Sequence, residues 1–266
     1  MIEAPQSFVV REECEKAAWQ NGFRRPFGGP PGWASFASTT VPGSIHLGAA
    51  GPQGPWYMAL DHDGVIAELS LPVAPIAGPG LSCHVFDQLG DLYAVLARVY
   101  QLSASLPDAP LRSFTAKVRD LPQTTEAEQM VVQRIGQDIF REGLMEYWQG
   151  RCPLTGITDP ALLRASHIVP WKACSCDAQR LDVHNGLLLS ALWDAAFDRG
   201  LVTFADAGHP EFSSALSEAA RVELRWQASL SLTPRQRENL VWHRTHIFNG
   251  SASRAASQNH SNNSDQ

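Results

Sequence analysis

Two histidines, an asparagine and two aspartates lie within forty residues of one another, in the stretch LLRASHIVPWKACSCDAQRLDVHNGLLLSALWDAAFDRGL at positions 162–201. An imidazole with a pKa near ~6.5 suits a general base at neutral pH, and carboxylates suit a hard cation such as Mg²⁺ or Mn²⁺. If His167 and Asp194 converge, one divalent ion can hold a phosphate ester while the neutral imidazole removes a proton from the attacking water. These residue types therefore indicate metal-assisted hydrolysis.

A β-hairpin followed by a helix is the arrangement that could bring these groups together. The segment LLRASHI predicts a strand that ends near His167. Asn185 lies at a turn, and LLLSALWDAAFD after it indicates a strand that passes into a helix. A turn asparagine can fix a loop through its side-chain amide and hold the histidine in register. Asp194 would then lie on the helix, about nine residues beyond Asn185.

The ordered motifs around these residues resemble those of the HNH endonucleases of the ββα-metal superfamily. The resemblance covers about residues 130–205. It is carried by R-x-G-Q-x-x-F-R (134–141), C-x-x-T-G (152–156), A-S-H-I (165–168), R-x-D-x-x-N-G-L-L-L (180–189) and F-D-x-G-L (197–201).

The resemblance implies a role for each residue of the candidate site. It makes His167 the general base and Asn185 the middle residue that orients the site. Asp194 occupies the position at which the last histidine of the simplest motif binds metal, and Ser166 stands where many members carry the first metal ligand. Asp198 has two interpretations, a second metal ligand or the cap of a turn. The expected cofactor is a divalent ion, Mg²⁺ or Mn²⁺.

Three cations are the predicted contacts to nucleic acid: Arg180, Arg164 and Lys172. Arg180 has an alternative role, a local ion pair with Asp182, which would contribute at most ~1 kcal/mol if exposed. His184 is expected to be structural or exposed.

The remaining motif residues are expected to be structural. Gln137, Phe140 and Arg141 are interpreted as scaffold on one helix face. Cys152 and the CSC sequence at 174–176 lack the paired spacing of a structural zinc site, so free thiols are expected and structural zinc is not.

The predicted fold class is α+β, with a small N-terminal α/β-sheet domain followed by a ββα-metal (HNH) nuclease domain with flanking helices. A Gly- and Pro-rich stretch after a first helix (11–23) contains the β-prone pieces GSIHL, PWYMAL and GVIAELSL, and a helix is expected over 84–106. Thr125 with Glu128 predicts a capped helix start, and Thr233 before Pro234 predicts another. The expected boundaries are 1–110 for a specificity or regulatory domain, 111–125 for a linker, 126–248 for the nuclease domain and 249–266 for a disordered tail.

The composition limits where a nucleic-acid site can lie. The net charge of −6 provides no global attraction for a polyanion, so such a site must be local. In the first domain, Arg24 and Arg25 with Phe23, Phe27 and Trp33 could grip a DNA backbone or stack on a base. The alternative is that these aromatic rings pack the small core and the arginines are solvated. The start of the chain has no secretion signal and no long apolar run, so a cytoplasmic protein with no membrane segment is expected.

The predicted function is that of a metal-dependent endonuclease that hydrolyses phosphodiester bonds in DNA. The DNA is expected to be double-stranded, and a homodimer would suit the cutting of both strands. A restriction or defence role is expected, with the N-terminal domain selecting the target. One alternative is a non-catalytic nucleic-acid or protein interaction module on a degenerate fold of the same kind. Another is a structural or regulatory partner of a larger system, whose N-terminal domain binds protein or a small signalling ligand.

Overall fold

The computed structural model describes residues 1–122 and 124–250 and divides the chain into two compact units. The first unit spans Met1–Ala109, and the second begins at Pro110. Within the described residues, no helix has the length and apolar character needed to cross a bilayer. The elements of the first unit are α1 (Phe8–Gln20), β1 (Arg25–Phe27), β2 (Ala34–Ala37), β3 (Ser44–Ala49), β4 (Trp56–Leu60), α2 (Asp63–Leu69), β5 (Ser82–Phe86) and α3 (Leu89–Ser105).

The five strands of the first unit form one antiparallel sheet in which each strand pairs with the next in sequence. β4 is buried along its whole length, so both of its faces are covered. The helices α1 and α3 pack against the sheet through buried apolar residues such as Val10 and Leu96. Tyr57 and Ala59, which share one face of β4, form a second apolar cluster with Cys83.

Two predictions for the first unit were wrong. The segment GVIAELSL was expected to be β-prone, but most of it lies in helix α2, whose N-terminus is capped by the side chain of His62. The helix expected from residue 84 begins only at Leu89, because Ser82–Phe86 pairs with β4 as strand β5. Both segments are short and apolar, so their partners in the fold, more than their own propensity, decide their conformation.

The second unit contains the expected β-hairpin followed directly by a helix, and the predicted α+β class with an N-terminal sheet is confirmed. The elements that follow the first unit are α4 (Ala109–Val118), α5 (Glu126–Tyr147), β6 (Leu163–His167), α6 (Asp177–Arg180), β7 (Gly186–Ser190), α7 (Ala191–Asp198), β8 (Val202–Phe204), β9 (Pro210–Phe212), α8 (Glu218–Glu223) and α9 (Pro234–His246).

The two predicted helix starts in this unit are confirmed. The Thr125 hydroxyl accepts the N–H of Glu128, and the Glu128 carboxylate accepts the N–H of Thr125, which forms the reciprocal capping box. Thr233 caps α9 in the same way with Gln236, and Pro234 is the first helical residue. These caps satisfy backbone donors that have no partner within the helix.

Two features lie where a linker and a tail were expected. Helix α4 spans Ala109–Val118 and so covers the first part of the expected linker, 111–125. Its Phe114 is buried. Asn249, at the start of the expected disordered tail, donates its N–H to the carbonyl of Gly200. The rest of that expected tail, 251–266, lies outside the described residues.

Candidate functional site

His167 ends β6 and lies against an aromatic ring of α5. Its partner across the hairpin is Gly186, where a Cβ would lie 2.5 Å from the Phe140 ring. Because position 186 carries no side chain, Phe140 reaches the imidazole, and the two rings stack with their centroids 3.7 Å apart and their planes 17° apart. The Trp171 ring approaches His167 edge-on at 5.7 Å. The two aromatic rings therefore hold the orientation of the imidazole.

The hydrogen bond of His167 determines which ring nitrogen is basic. Nε2 lies 2.9 Å from the carbonyl oxygen of Arg180, and a carbonyl oxygen can only accept. Nε2 therefore carries the hydrogen, and the lone pair of the neutral ring is on Nδ1, which has no hydrogen bond to any described residue. Burial lowers the pKa of His167 to about 4, against a smaller opposing effect of the bond to Arg180. The imidazole is thus neutral at pH 7, with Nδ1 available as a base.

Asn185 is fully buried and holds the long connection between β6 and β7. Its Oδ1 accepts the N–H of Val169 at 2.9 Å, and its Nδ2 donates to the carbonyls of Val169 at 3.1 Å and Gln179 at 3.2 Å. These bonds fix both ends of the connection, just after His167 and just before Arg180. Since the Arg180 carbonyl is the acceptor for His167, Asn185 positions the imidazole through the backbone.

Asp194 lies in the first turn of α7 and is oriented by the hairpin. The hydroxyl of Ser166, which is buried, donates to Asp194 Oδ1 over 2.5 Å. A hydroxyl is a weak ligand for a hard cation, but as a donor it fixes one carboxylate oxygen and leaves the other free. Ser166 therefore acts here as a support for the carboxylate.

Asp198 lies one helical turn after Asp194 and lines a cavity of about 430 Å³ together with His167. The pKa of Asp198 is raised to about 6, mainly by partial burial and secondly by the charge of Asp194. The charge of Arg199 lowers it by a smaller amount. No described residue donates a hydrogen bond to the Asp198 carboxylate, so the turn-cap interpretation has no bond to support it. A second cavity of about 560 Å³ is lined by both Asp194 and Asp198. The two carboxylates thus stand side by side, next to the cavity of the imidazole.

A second histidine of the same cavity, His243 of α9, is arranged differently. Like His167 it stacks on a phenylalanine, Phe197, and donates its Nε2–H to a backbone carbonyl, that of Phe197 at 3.2 Å. Its Nδ1, however, accepts the hydroxyl of Thr203 at 3.0 Å. Burial lowers the pKa of His243 to about 4, so it is also neutral. Of these two histidines, only His167 retains an uncommitted lone pair within the described residues.

The three predicted nucleic-acid contacts have different surroundings. Arg180 donates to two loop carbonyls and forms an ion pair with Asp177 at 2.8 Å, so its guanidinium braces the connection between the strands. The alternative interpretation, a local ion pair between Arg180 and Asp182, is wrong, because Asp182 pairs with Arg235. Arg164 donates to nearby backbone carbonyls, and Lys172 is exposed on the short turn that carries Trp171.

Asp182 is buried and connects the hairpin to α9. Its Oδ1 accepts from the N–H and Nδ1 of His184 at 2.9 and 3.0 Å, and its Oδ2 accepts from Arg235 Nε at 2.7 Å. Asn239 of α9 also donates to the carbonyl of His184 at 3.0 Å. Helix α9 therefore fixes the turn that carries Asn185.

Residues that the sequence interpretation missed come from α5 and from the end of α7. Phe140 was expected to be scaffold, but it contacts the imidazole directly. Gly136, one turn earlier, leaves room for Trp171, since a Cβ there would lie 2.4 Å from that ring. The spacing of Gly136 and Phe140 within one motif was the available signal. Arg199 lines both cavities and was not singled out.

The donor set fits a hard divalent cation that shares its coordination with water and substrate. Burial is the larger cause of the raised pKa of Asp198, and the charge of Asp194 adds to it. A cation would relieve the repulsion between these two carboxylates. Mg²⁺ is commonly held by one or two carboxylates plus substrate phosphates. Within the described part of the chain, no group of three or more His, Cys, Asp or Glu side chains is placed to hold a metal ion. A cation at this carboxylate pair would therefore take its other ligands from water and substrate.

Comparison with known proteins agrees with this geometry. Residues 152–205 match the family model described as HNH endonuclease, and this segment contains the hairpin, α7 and β8. No curated protein matches the chain. Phe140 and α9, which support the hairpin, lie outside the matched segment. An HNH domain suggests nuclease activity and therefore a nucleic acid as substrate. The C-terminal part of this chain carries a domain of the HNH endonuclease family.

Proposed function

We propose that this protein is a divalent-cation-dependent endonuclease that hydrolyses phosphodiester bonds in DNA. The observation that carries the proposal is the uncommitted Nδ1 of His167, held by a carbonyl and two aromatic rings beside the cavity that Asp198 lines. A structural histidine in a packed core engages both nitrogens, as His243 does. The asymmetry between these two histidines supports a chemical role for His167.

In the proposed reaction, Nδ1 of His167 takes a proton from a water molecule whose oxygen attacks phosphorus. The new P–O bond forms as the bond from phosphorus to the leaving sugar oxygen breaks, and that oxygen departs with the electron pair and gains a proton from solvent. The Nε2–H bond to the Arg180 carbonyl becomes stronger as the ring acquires positive charge. Asn185 acts indirectly, because it bonds to the carbonyl of Gln179, the residue that precedes Arg180.

Asp194 and Asp198 are the residues that would hold the cation, with Ser166 orienting Asp194. When bound, a divalent cation lowers the pKa of a coordinated water and offsets charge that develops on the phosphate. The low pKa of His167 keeps its imidazole neutral at pH 7, so Nδ1 is available to take the proton.

The N-terminal unit is proposed to select the target, in a restriction or defence role. It is a compact unit of its own, and Arg24, Arg25 and Phe27 are exposed in it, whereas Phe23 is buried in its core and Trp33 is partly buried. Exposed cations beside an exposed ring suit contact with a nucleic-acid backbone and a base. Two copies related by a two-fold axis would cut both strands of a duplex.

The test is cleavage of unmodified and modified plasmid DNA by the purified chain with Mg²⁺, with Mn²⁺ or with a chelator. His167→Ala should abolish metal-dependent cutting while its unfolding temperature stays within a few degrees of the wild type. His209→Ala is the matched control, because His209 is an exposed histidine of the turn between β8 and β9 and does not line the cavity. Cutting that survives in His167→Ala would refute the proposal. Cutting by no variant, together with DNA binding, would favour a non-catalytic binding module.

A further inference from the structure

Arg199, the residue that follows α7, stands at the junction of the two cavities. It lines the cavity of about 430 Å³ with His167 and Asp198, and it also lines the cavity of about 560 Å³ with Asp194. The residue is exposed, and its guanidinium has no hydrogen bond or ion pair to any described residue. It is nevertheless close enough to Asp198 to act on that carboxylate electrostatically. A free positive charge therefore lies next to the proposed base and carboxylates.

The backbone beneath Arg199 is firmly held, although its side chain is free. Asn249 donates its Nδ2 to the Arg199 carbonyl at 3.2 Å and its N–H to the Gly200 carbonyl at 2.9 Å. The Gly200 N–H donates to the Phe197 carbonyl at 2.9 Å. Gly200 has a φ of +65°, and a Cβ there would lie 2.1 Å from the Ile247 carbonyl oxygen, so the turn requires glycine. A side chain on such a turn starts from a defined position.

Other arginines of the second unit are used within the fold. Arg180 binds the connection between the strands, Arg235 binds Asp182, and Arg244 binds Asp206 and the Phe204 carbonyl. Arg199 differs from these three arginines in two ways. Its guanidinium has no hydrogen-bond or ion-pair partner among the described residues, and it lies beside the two cavities.

We propose that Arg199 binds the non-bridging oxygens of the scissile phosphodiester and places its phosphorus beside His167 Nδ1. This proposal rests on the proposed nuclease function and names the residue that recognises the substrate at the same site. The guanidinium presents paired N–H donors that match two phosphate oxygens. The charge of Arg199 would also reduce the repulsion between an anionic phosphate and the carboxylates of Asp194 and Asp198.

The experiment measures binding of a short fluorescein-labelled DNA duplex by anisotropy, with chelator present so that no catalysis occurs, over about 50–200 mM salt. Arg199→Ala is expected to weaken binding about tenfold and to reduce the slope of log affinity against log salt by about one, the loss of one phosphate contact. Arg199→Lys should retain most of the slope, since it keeps the charge. Arg134→Ala is the control, because Arg134 is an exposed arginine of α5 that pairs only loosely, at 3.7 Å, with Asp138.

Cleavage with Mg²⁺ or Mn²⁺ is then compared for the same variants. Arg199→Ala should lower kcat/KM by more than binding alone accounts for, because phosphate placement acts on the chemical step. Wild-type affinity and slope in Arg199→Ala, an equal loss in Arg134→Ala, or no binding by the wild type would each overturn the assignment. If the wild type binds DNA through Arg199 but cuts nothing, the nuclease proposal fails while the phosphate contact stands, so the two failures are distinguishable.

Discussion

The hydroxyl of Ser166 donates a hydrogen bond of 2.5 Å to Oδ1 of Asp194, joining the hairpin to the first turn of α7. The residue that replaces an expected metal ligand therefore orients the carboxylate that remains. In the proposed site, the carboxylate pair on α7 and the lone pair on His167 come from different elements of the fold.

Removal of the Ser166 hydroxyl should weaken cation binding without abolishing it. In Ser166→Ala the Asp194 carboxylate loses its only protein donor in the described structure, and loss of such a supporting bond typically lowers metal affinity about tenfold. Calorimetric titration with Mn²⁺ measures the change. Ser231→Ala, at an exposed serine, is the control. Unchanged Mn²⁺ affinity in Ser166→Ala would show that Asp194 does not bind the cation.

Truncation of Phe140 should impair the chemistry more than the fold. Phe140→Leu keeps an apolar side chain but removes the ring that stacks on His167, and it should lower the free energy of unfolding by about 1–2 kcal/mol. We expect kcat to fall at least about tenfold with little change in KM, because the base is displaced and substrate contacts remain. Phe36→Leu, in the buried core of the first unit, is the comparison for packing loss alone. Equal kcat in the two variants would exclude a positioning role for Phe140.

The ion pair between Arg235 and Asp182 should stabilise the second unit. Arg235→Ala leaves one oxygen of a buried carboxylate without its cation, and we expect the free energy of unfolding to fall by about 1–3 kcal/mol. Urea unfolding measures this value. In the Asp182→Asn background the same Arg235→Ala change should have a much smaller effect, as the charge is gone. Additive losses in the double variant would mean that the two side chains do not interact.

Stability should fall at acidic pH because of His243. The folded protein holds the pKa of this histidine at about 4, whereas the unfolded chain protonates it near ~6.5. The contribution of neutral His243 to the free energy of unfolding is therefore present above pH ~6.5 and is lost as the pH falls towards 4. Between pH 7 and pH 5 the loss is about 2 kcal/mol. Urea unfolding at the two pH values should show a smaller loss in His243→Gln than in the wild type. His209→Gln, at an exposed histidine, should keep the wild-type difference. Identical pH dependence in His243→Gln would contradict the buried, neutral state of His243.

Several features could be predicted because their signals are local in the sequence. The capping boxes at Thr125 and Thr233 depend on residues three positions apart, so the sequence alone predicts both helix starts. The hairpin and α7 follow from the order of apolar and turn residues, and the family follows from motifs within 152–205. By contrast, β5 and α2 could not be distinguished from their alternatives, because strand pairing and packing partners lie far along the chain.

The roles of individual polar side chains were decided by the tertiary structure. His167 and His243 are the same residue type beside the same cavity, yet a hydroxyl from Thr203 occupies Nδ1 in one and nothing in the described chain occupies it in the other. Arg180 braces the connection between the strands, a role that the sequence did not indicate, and its contact with nucleic acid stays a prediction. The sequence by itself determined the family of the segment 152–205 and the hairpin and helix that carry the candidate residues. Only the fold decided which nitrogen is free and which charge is exposed, because hydrogen-bond partners come from backbone atoms and side chains that sequence spacing does not bring together.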